Sequence, residues 1–267
     1  MVKIGSRILI ALAVLYVGAA TFLYAFQSNF IFAAPDGVHA PAEGYDAVAL
    51  RTADGLDLTA HWRAPQPGQP TVVHFHGNAG SLKGAAVENS AFAERGYGVL
   101  LVEYRGYGGN PGTASERGFT LDGRAAMDFL DAQAVPELAT VIKGHSLGAG
   151  TAMNVALEYR PGAIILVAPF SSVPDLSGWR MPWLDLLPLD LLVRDQFDNL
   201  AKAPRVGVPT FVQHGSGDEA IPMMHGQLVA KALTDGTFDR VEGAGHAVSF
   251  DASAQERQLE WLGTLGL

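Results

Sequence analysis

Two kinds of hydropathy pattern alternate along most of the chain. Short runs rich in apolar and β-branched residues, typical of buried strands, are followed by longer stretches with the period of a helix. A repeated strand–helix alternation indicates an α/β protein with a mostly parallel central sheet and helices on both faces. The predicted strands are 71–76, 98–104, 139–145, 163–168, 208–214 and 238–242, and the predicted helices are 84–95, 115–134, 147–159, 223–234 and 253–265.

Two segments depart from this alternation. Residues 45–52 and 56–63 alternate in polarity around Ala53-Asp54-Gly55, which predicts an antiparallel hairpin at one edge of the sheet. Residues 171–205 lack the strand–helix rhythm and are rich in Leu and Pro, with Trp179, Met181 and Trp183 close together. We expect this segment to be a small lid insertion over the C-terminal edge of the sheet. Its apolar cluster, 179–192, either lines a substrate groove or packs as the core of the lid.

The N-terminal region contains an unbroken apolar run. Residues 8–26 carry no charge, and a helix of this length spans about 29 Å, close to the hydrocarbon thickness of a bilayer. The run is apolar on every side, whereas a core helix normally has a polar stripe. A transmembrane anchor over residues 1–27 is therefore predicted. The alternative is a signal peptide cleaved within residues 17–20, but the apolar run continues beyond those positions.

The charges around this run predict its orientation. Lys3 and Arg7 precede it, and Asp36 is the first charge after it, so the positive-inside rule places the N-terminus in the cytoplasm. Residues 28–44, with several Pro and Gly, are predicted to link the anchor to a catalytic domain over 45–267. That domain is expected outside the cytoplasm, in the periplasm if the protein is bacterial.

Composition narrows the possible chemistry. The chain has no cysteine, which excludes disulfides, a thiolate nucleophile and Cys-based metal sites. Its net charge of -9 would repel nucleic acid and anionic lipid headgroups alike. No nucleic-acid partner is expected, and attachment to the bilayer has to come from the apolar run.

One motif points to nucleophilic catalysis. The segment Gly144-His145-Ser146-Leu147-Gly148 has the form G-x-S-x-G, whose small flanking residues permit a sharp strand-to-helix turn that exposes a serine. The motif lies between a predicted strand and a predicted helix of small residues, which is the context that such a turn requires. The helix N-terminus would also direct its positive dipole end at the serine. Ser146 is the predicted nucleophile.

A serine hydroxyl needs a base to take its proton and a carboxylate to orient that base. His246 is the predicted base because it lies in a Gly-rich loop between the last predicted strand and the last helix. His225 falls inside a predicted helix and is expected to be a surface residue. The predicted acid is Asp218, on the turn after strand 208–214, and its neighbour Glu219 is a weaker alternative.

Other acidic and histidine residues are expected to have structural roles. Asp198 is a weaker candidate for the acid, and Asp239, inside a strand, is expected to be a solvated face residue. His76 is expected to stabilise a turn, whereas His74 and His145 are expected to be core or turn residues.

Acyl transfer also requires hydrogen-bond donors that stabilise the negative charge that develops on the carbonyl oxygen. The Gly-rich segment His76-Gly77-Asn78-Ala79-Gly80 follows a predicted strand beside the expected site. The backbone N–H groups of Asn78 and Leu147 are therefore the predicted oxyanion-hole donors.

Taken together, these motifs resemble the α/β-hydrolase superfamily and, within it, the bud-emergence-46-like serine hydrolases of the ABHD12, ABHD13 and ABHD17 type. The resemblance implies an α/β-hydrolase fold and an esterase, thioesterase or lipase that needs no metal or organic cofactor. It assigns catalysis to Ser146, Asp218 and His246. Glu103 is a departure, since many relatives have Asp before the Tyr-Arg-Gly segment. The resemblance is carried by residues 76–80, 104–108, 144–148, 214–222 and 245–246, with 26–32 after the anchor.

The sequence thus predicts a serine hydrolase, held at a membrane, that cleaves carboxylic ester or thioester bonds of lipid-like acyl substrates through an acyl-enzyme. A serine peptidase is an alternative, because the same triad cleaves amides. An inactive, membrane-tethered binding module is a second alternative.

Overall fold

A single sheet of eight strands organises the part of the chain, residues 2–35, 37–38 and 40–267, that the computed structural model describes. The strands are β1 (Asp46–Arg51), β2 (Asp57–Arg63), β3 (Thr71–Phe75), β4 (Gly98–Val102), β5 (Thr140–His145), β6 (Ala163–Val167), β7 (Thr210–Gly215) and β8 (Gly236–Val241). Their order is β1-β2-β4-β3-β5-β6-β7-β8. β1 pairs with β2, and β2 with β4, in antiparallel fashion, and all other pairs are parallel. The predicted mostly parallel sheet with an antiparallel edge hairpin is confirmed.

The helices also follow the predicted pattern. The predicted helix 84–95 is divided in two by Asn89, whose side-chain amide donates to the Ala85 carbonyl at 2.8 Å. Elsewhere the predicted helices are present with shifted ends. In the described residues the α-helices are α1 (Val2–Ile31), α2 (Leu82–Glu88), α3 (Ser90–Glu94), α4 (Glu116–Ala132), α5 (Leu147–Ala156), α6 (Val173–Arg180), α7 (Leu189–Leu192), α8 (Asn199–Lys202), α9 (Met223–Ala232) and α10 (Ala252–Thr264).

Two apolar layers lie on opposite faces of the sheet. Alternate side chains of a strand point to opposite faces, so in β3 Val73 joins one layer and Val72 the other. The first layer includes residues of α4, α5 and α9, and the second includes residues of α2, α3 and α10. Because both faces are covered, the parallel strands read as continuous apolar runs in the sequence.

The N-terminal helix is long and apolar, and its end is attached to the rest of the protein. Residues Ile10–Ile31 of α1 would suffice to cross a membrane by length and composition. The Gln27 side chain donates from Nε2 to the Leu192 carbonyl at 3.0 Å and accepts the Arg194 N–H at 2.7 Å. The helix continues into the first residues of the predicted linker 28–44. The division of the chain at residues 27 and 44 stays a prediction.

The predicted lid, residues 171–205, forms short helices whose apolar residues divide into two groups. Leu184 and Leu187 are buried in the protein. The exposed members are Trp179, Met181, Trp183, Leu186 and Leu191. Only part of the apolar cluster therefore packs as lid core, and the remainder forms an apolar surface.

Two residues that were expected at the surface are buried. His225 in α9 faces inward, and its Nδ1 lies 2.8 Å from the Ser171 hydroxyl that follows β6. Asp239 in β8 accepts a hydrogen bond from Gln213 at 2.9 Å and pairs with Arg257. Both expectations were wrong, because partners distant in the chain satisfy these polar groups inside the fold.

A buried lysine lies in the centre of the sheet. Lys143 in β5 donates from Nζ to the Glu88 carbonyl at 2.7 Å, and Nζ lies 4.7 Å from the Phe92 ring centroid. Burial disfavours the charged amine and lowers the pKa of Lys143 to about 7. The folded protein therefore releases this proton at a lower pH than the unfolded chain does.

This difference predicts a specific pH dependence of stability. Between pH 7 and about 10 the unfolded chain keeps Lys143 protonated and the folded protein does not, so the free energy of unfolding rises with pH, by at most about 1.4 kcal/mol per unit. In Lys143→Met this contribution is absent. Thermal unfolding of both proteins in detergent across this range should show the wild type gaining stability relative to the variant. Parallel pH profiles would contradict the assignment.

Candidate active site

The candidate site begins at the turn between β5 and α5. Ser146 lies in this turn with φ of 54°, a left-handed conformation that is uncommon for a residue with a side chain. Its N–H donates to the Val167 carbonyl at 2.8 Å, and its own carbonyl accepts the Ala149 N–H at 3.0 Å. These bonds hold the serine at the carboxyl edge of the sheet.

The flanking glycines are required by close backbone packing. A side chain at Gly148 would collide with the Phe75 carbonyl oxygen in β3, and one at Gly144 would collide with the backbone of Gly148. The small residues of the motif thus let the first turn of α5 lie directly against β3 and β5.

The loops that follow β7 and β8 bring two further predicted residues to this serine. His246 Nε2 lies 3.1 Å from Ser146 Oγ, and His246 Nδ1 lies 2.8 Å from Asp218 Oδ2. The other Asp218 oxygen accepts the N–H groups of Ala220 and Ile221 at 2.9 and 2.8 Å. Ser146, His246 and Asp218 therefore form one hydrogen-bonded chain, in which a proton can pass from the hydroxyl to the imidazole.

The surroundings of Asp218 favour its ionised form. Burial alone would raise its pKa, but hydrogen bonds from His214, His246 and the Ile221 N–H outweigh burial and hold the pKa of this carboxyl well below its usual range. His214 Nε2 lies 3.3 Å from Asp218 Oδ2 and 2.9 Å from the Ile221 carbonyl. A charged Asp218 is suited to stabilise an imidazolium at His246.

A second buried network supports the His246 loop. His145 Nε2 lies 3.1 Å from the His246 carbonyl, and His145 Nδ1 lies 3.1 Å from a Glu88 oxygen and 3.2 Å from the Ser249 hydroxyl. His145, expected only as a core or turn residue, thus connects the serine turn to the histidine loop.

The predicted oxyanion-hole residues border the same pocket as Ser146. In the described chain, the backbone N–H groups of Asn78 and Leu147 donate no hydrogen bond to a backbone carbonyl in the turns, loops and helix caps. The Asn78 side-chain oxygen accepts the Tyr107 hydroxyl at 2.8 Å and the Ala33 N–H at 2.7 Å. These two bonds hold the Asn78 side chain by its oxygen.

His76 stabilises the turn that carries Asn78, as expected. Its Nδ1 lies 2.8 Å from the Gly77 carbonyl, and its Nε2 lies 2.7 Å from a Glu103 oxygen. Burial opposes charge on the imidazole, but the hydrogen bond and the charge of Glu103 raise the pKa of His76. Glu103, the departure noted in the sequence, is thus the buried partner of His76.

The pocket around Ser146 is mostly apolar and has a volume of about 480 Å³. Among the described residues that line it, Arg180 is the one with a permanent charge, and none is acidic. Phe30 and Ile31 at the end of α1 also contribute to its wall. Within the described chain, no group of three or more His, Asp and Glu side chains is arranged to hold a metal ion.

Sequence reasoning missed several residues of this site. Glu88 and Arg180 have no local motif, because their roles depend on contacts that form only in the folded chain. His214 begins the stretch 214–222 that contributed to the family resemblance, but its contact with Asp218 was not predicted. Phe30 and Ile31 had a weak signal, since they belong to the stretch 26–32 that contributed to the family resemblance.

Comparisons with known proteins identify the family of the chain. The family described as "Serine aminopeptidase, S33", an α/β-hydrolase family, matches residues 66–199, about half of the chain. An uncharacterized protein of Mycobacterium tuberculosis (strain CDC 1551 / Oshkosh) is 34% identical over 86% of this chain and 83% of its own length. The lysophosphatidylserine lipase ABHD12 of Rattus norvegicus is 29% identical over 68% of this chain and 50% of its own length.

Solved structures share the fold. The esterase Pf2001 of Pyrococcus furiosus has a TM-score of 0.66 at 18% identity, covering 88% of this chain and 96% of that one. With the family match, this similarity shows the α/β-hydrolase fold. The chain therefore belongs to the α/β-hydrolase family described as serine aminopeptidase, S33, and it is a hydrolase related to the ABHD12 lipases.

Proposed function

We propose that the protein is a membrane-anchored serine hydrolase that cleaves carboxylic ester or thioester bonds of lipid-like acyl substrates. The observation that carries this proposal is the hydrogen-bonded chain Ser146–His246–Asp218 beside a mostly apolar pocket. The relationship to a lysophosphatidylserine lipase supports an ester with an acyl chain.

In the proposed reaction, Ser146 Oγ attacks the acyl carbonyl carbon while His246 Nε2 takes its proton. Asp218 holds the imidazole by its Nδ1 proton and stabilises the positive charge that forms. The N–H groups of Asn78 and Leu147 would donate hydrogen bonds to the carbonyl oxygen and stabilise its negative charge. The tetrahedral intermediate then collapses, and the alcohol or thiol leaves with the proton from His246. Water, deprotonated by His246, hydrolyses the acyl-enzyme and restores Ser146.

A serine aminopeptidase is the second candidate, because the family description names that activity. Recognition of a peptide amino terminus would require an acidic side chain near the serine to pair with the ammonium group. The described lining residues of the pocket include Arg180 and no carboxylate. This charge pattern favours an ester over a peptide with a free amino terminus.

Covalent labelling tests the nucleophile. A fluorophosphonate probe should label the wild type in detergent, and Ser146→Ala should abolish labelling because the attacking hydroxyl is removed. Ser177→Ala is the matched control: Ser177 lines the same pocket, but among the described residues no histidine is hydrogen-bonded to its hydroxyl, so labelling should persist.

The substrate class follows from rates on p-nitrophenyl esters and on an aminoacyl p-nitroanilide. Faster cleavage of the esters is expected. Preference for the anilide would favour the peptidase, and folded wild type without labelling or turnover would favour an inactive binding module.

The acid can be tested separately. Asp218→Asn should lower kcat on an ester by roughly 10³- to 10⁴-fold, because the amide no longer holds the histidine in the required tautomer. Glu219→Gln is the control: Glu219 is exposed and adjacent in the chain, so near-normal kcat is expected. Equal losses in both variants would contradict the role of Asp218.

We also infer an orientation, with residues 1–27 as the anchor, the N-terminus in the cytoplasm and the domain 45–267 outside it. Lys3 and Arg7 before the apolar run support this orientation. In a bacterial host, an alkaline phosphatase fusion after Leu267 should be active and a green fluorescent protein fusion dark. A fluorescent fusion without phosphatase activity would reverse the orientation.

A further inference from the structure

A second cavity adjoins the pocket of Ser146. It has a volume of about 310 Å³ and lies between the C-terminal half of α1 and the segment 173–193. The two cavities have five lining residues in common and are therefore next to each other. The shared residues are Phe30, Ile31, Val173, Ser177 and Met181.

The lining of the second cavity fits a hydrocarbon chain. Apart from Gln27 and Ser177, the residues that line it are apolar. The side-chain amide of Gln27 is fully engaged by the backbone, with hydrogen bonds to the carbonyls of Tyr24 and Leu192 and from the Arg194 N–H. The cavity therefore offers a ligand almost no free hydrogen-bonding group.

The walls of this cavity are held in place by contacts at the end of α1. Besides the Gln27 bonds, the Arg194 guanidinium lies 5.2 Å from the Tyr24 ring centroid. Just after the helix, Phe32 packs edge-on against Phe119 at 5.3 Å between ring centroids. The Ala33 N–H donates to Asn78 at 2.7 Å. The space is thus a formed cavity between attached elements.

The surroundings of the cavity indicate how a ligand enters. Phe22 and Phe30 on α1, and Trp183 and Leu186 on the opposite segment, are each more than half exposed. If α1 spans a bilayer, these side chains lie in or next to hydrocarbon. A chain that starts in the bilayer can reach the cavity without crossing water.

We propose that this cavity is the acyl-chain subsite, formed jointly by α1 and segment 173–193, for long-chain esters that enter sideways from the bilayer. The proposal rests on the proposed ester hydrolysis at Ser146 and specifies its substrate. From Ile31 to Ala19 the subsite follows α1 for about 18 Å, which suits a long, extended acyl chain. Each methylene that the subsite removes from water should strengthen binding about fourfold.

Substitutions that fill the cavity test this proposal. Leu23 lines the middle of the subsite and Ala19 its far end, about 6 Å further along α1. Activities on p-nitrophenyl butyrate, laurate and palmitate would be compared in mixed micelles. Leu23→Trp should lower the kcat/KM ratios of laurate and palmitate to butyrate at least tenfold. Ala19→Trp should lower the palmitate ratio and affect laurate less, because it shortens the subsite from its end.

Leu15→Trp is the matched control, since Leu15 is on the same helix, is 69% exposed and lines neither cavity. Its chain-length profile should equal that of the wild type. Circular dichroism identifies variants that fail to fold. If one of the two cavity-filling variants fails to fold, the chain-length profile of the other still tests the subsite.

Three outcomes would overturn the subsite. The first is a wild type that does not prefer long-chain esters, and the second is the same long-chain to butyrate ratio of kcat/KM in all folded variants. The third is an equal loss of this ratio in Leu15→Trp, which would indicate that bilayer lipid merely covers this surface. In each case butyrate hydrolysis and fluorophosphonate labelling persist. If the folded wild type shows neither labelling nor hydrolysis of any ester, the proposed function itself fails.

Discussion

The parallel alignment of β5, β6, β7 and β8 is the constraint on which the candidate site depends. Parallel strands end at the same edge of a sheet, so the loops that follow them converge there. Ser146, Asp218 and His246 follow β5, β7 and β8, and this convergence brings Ser146 and Asp218 within hydrogen-bonding distance of His246. A slip of one residue in a strand would turn each of its side chains to the opposite face and displace the loop that follows it.

Close packing and buried polar contacts then fix the site more finely. Gly148 lets α5 approach the β3 backbone, which holds the left-handed serine turn against the sheet. Behind that turn, Glu88 and His145 connect the serine strand to the His246 loop. Buried polar groups are favourable when they are paired, so the bonds of His145 to the His246 carbonyl and the Ser249 hydroxyl stabilise this arrangement of the loop.

The N-terminal helix is part of the wall of the candidate site. Its last turns contribute Phe30 and Ile31 to the pocket wall, and Gln27 joins it to the segment opposite. A helix rises by about 1.5 Å per residue, so a fixed attachment point also fixes the height of Ser146 relative to any membrane that α1 crosses. In the proposed function, this helix would both position the protein at a bilayer and select the substrates that reach Ser146.

The sequence by itself determined the strand and helix pattern, the edge hairpin and the placement of Ser146, because periodicity and the G-x-S-x-G turn are local constraints. Asp218 and His246 were predictable from chain order, because the loops that follow parallel strands lie at the same edge of the sheet. Only the tertiary structure decided that His225 and Asp239 are buried and that His145 and His214 support the candidate site. It also decided that α1 lines the pocket. These features depend on residues far apart in the chain, as with Gln27 and Leu192, separated by 165 positions, and no local pattern encodes such contacts.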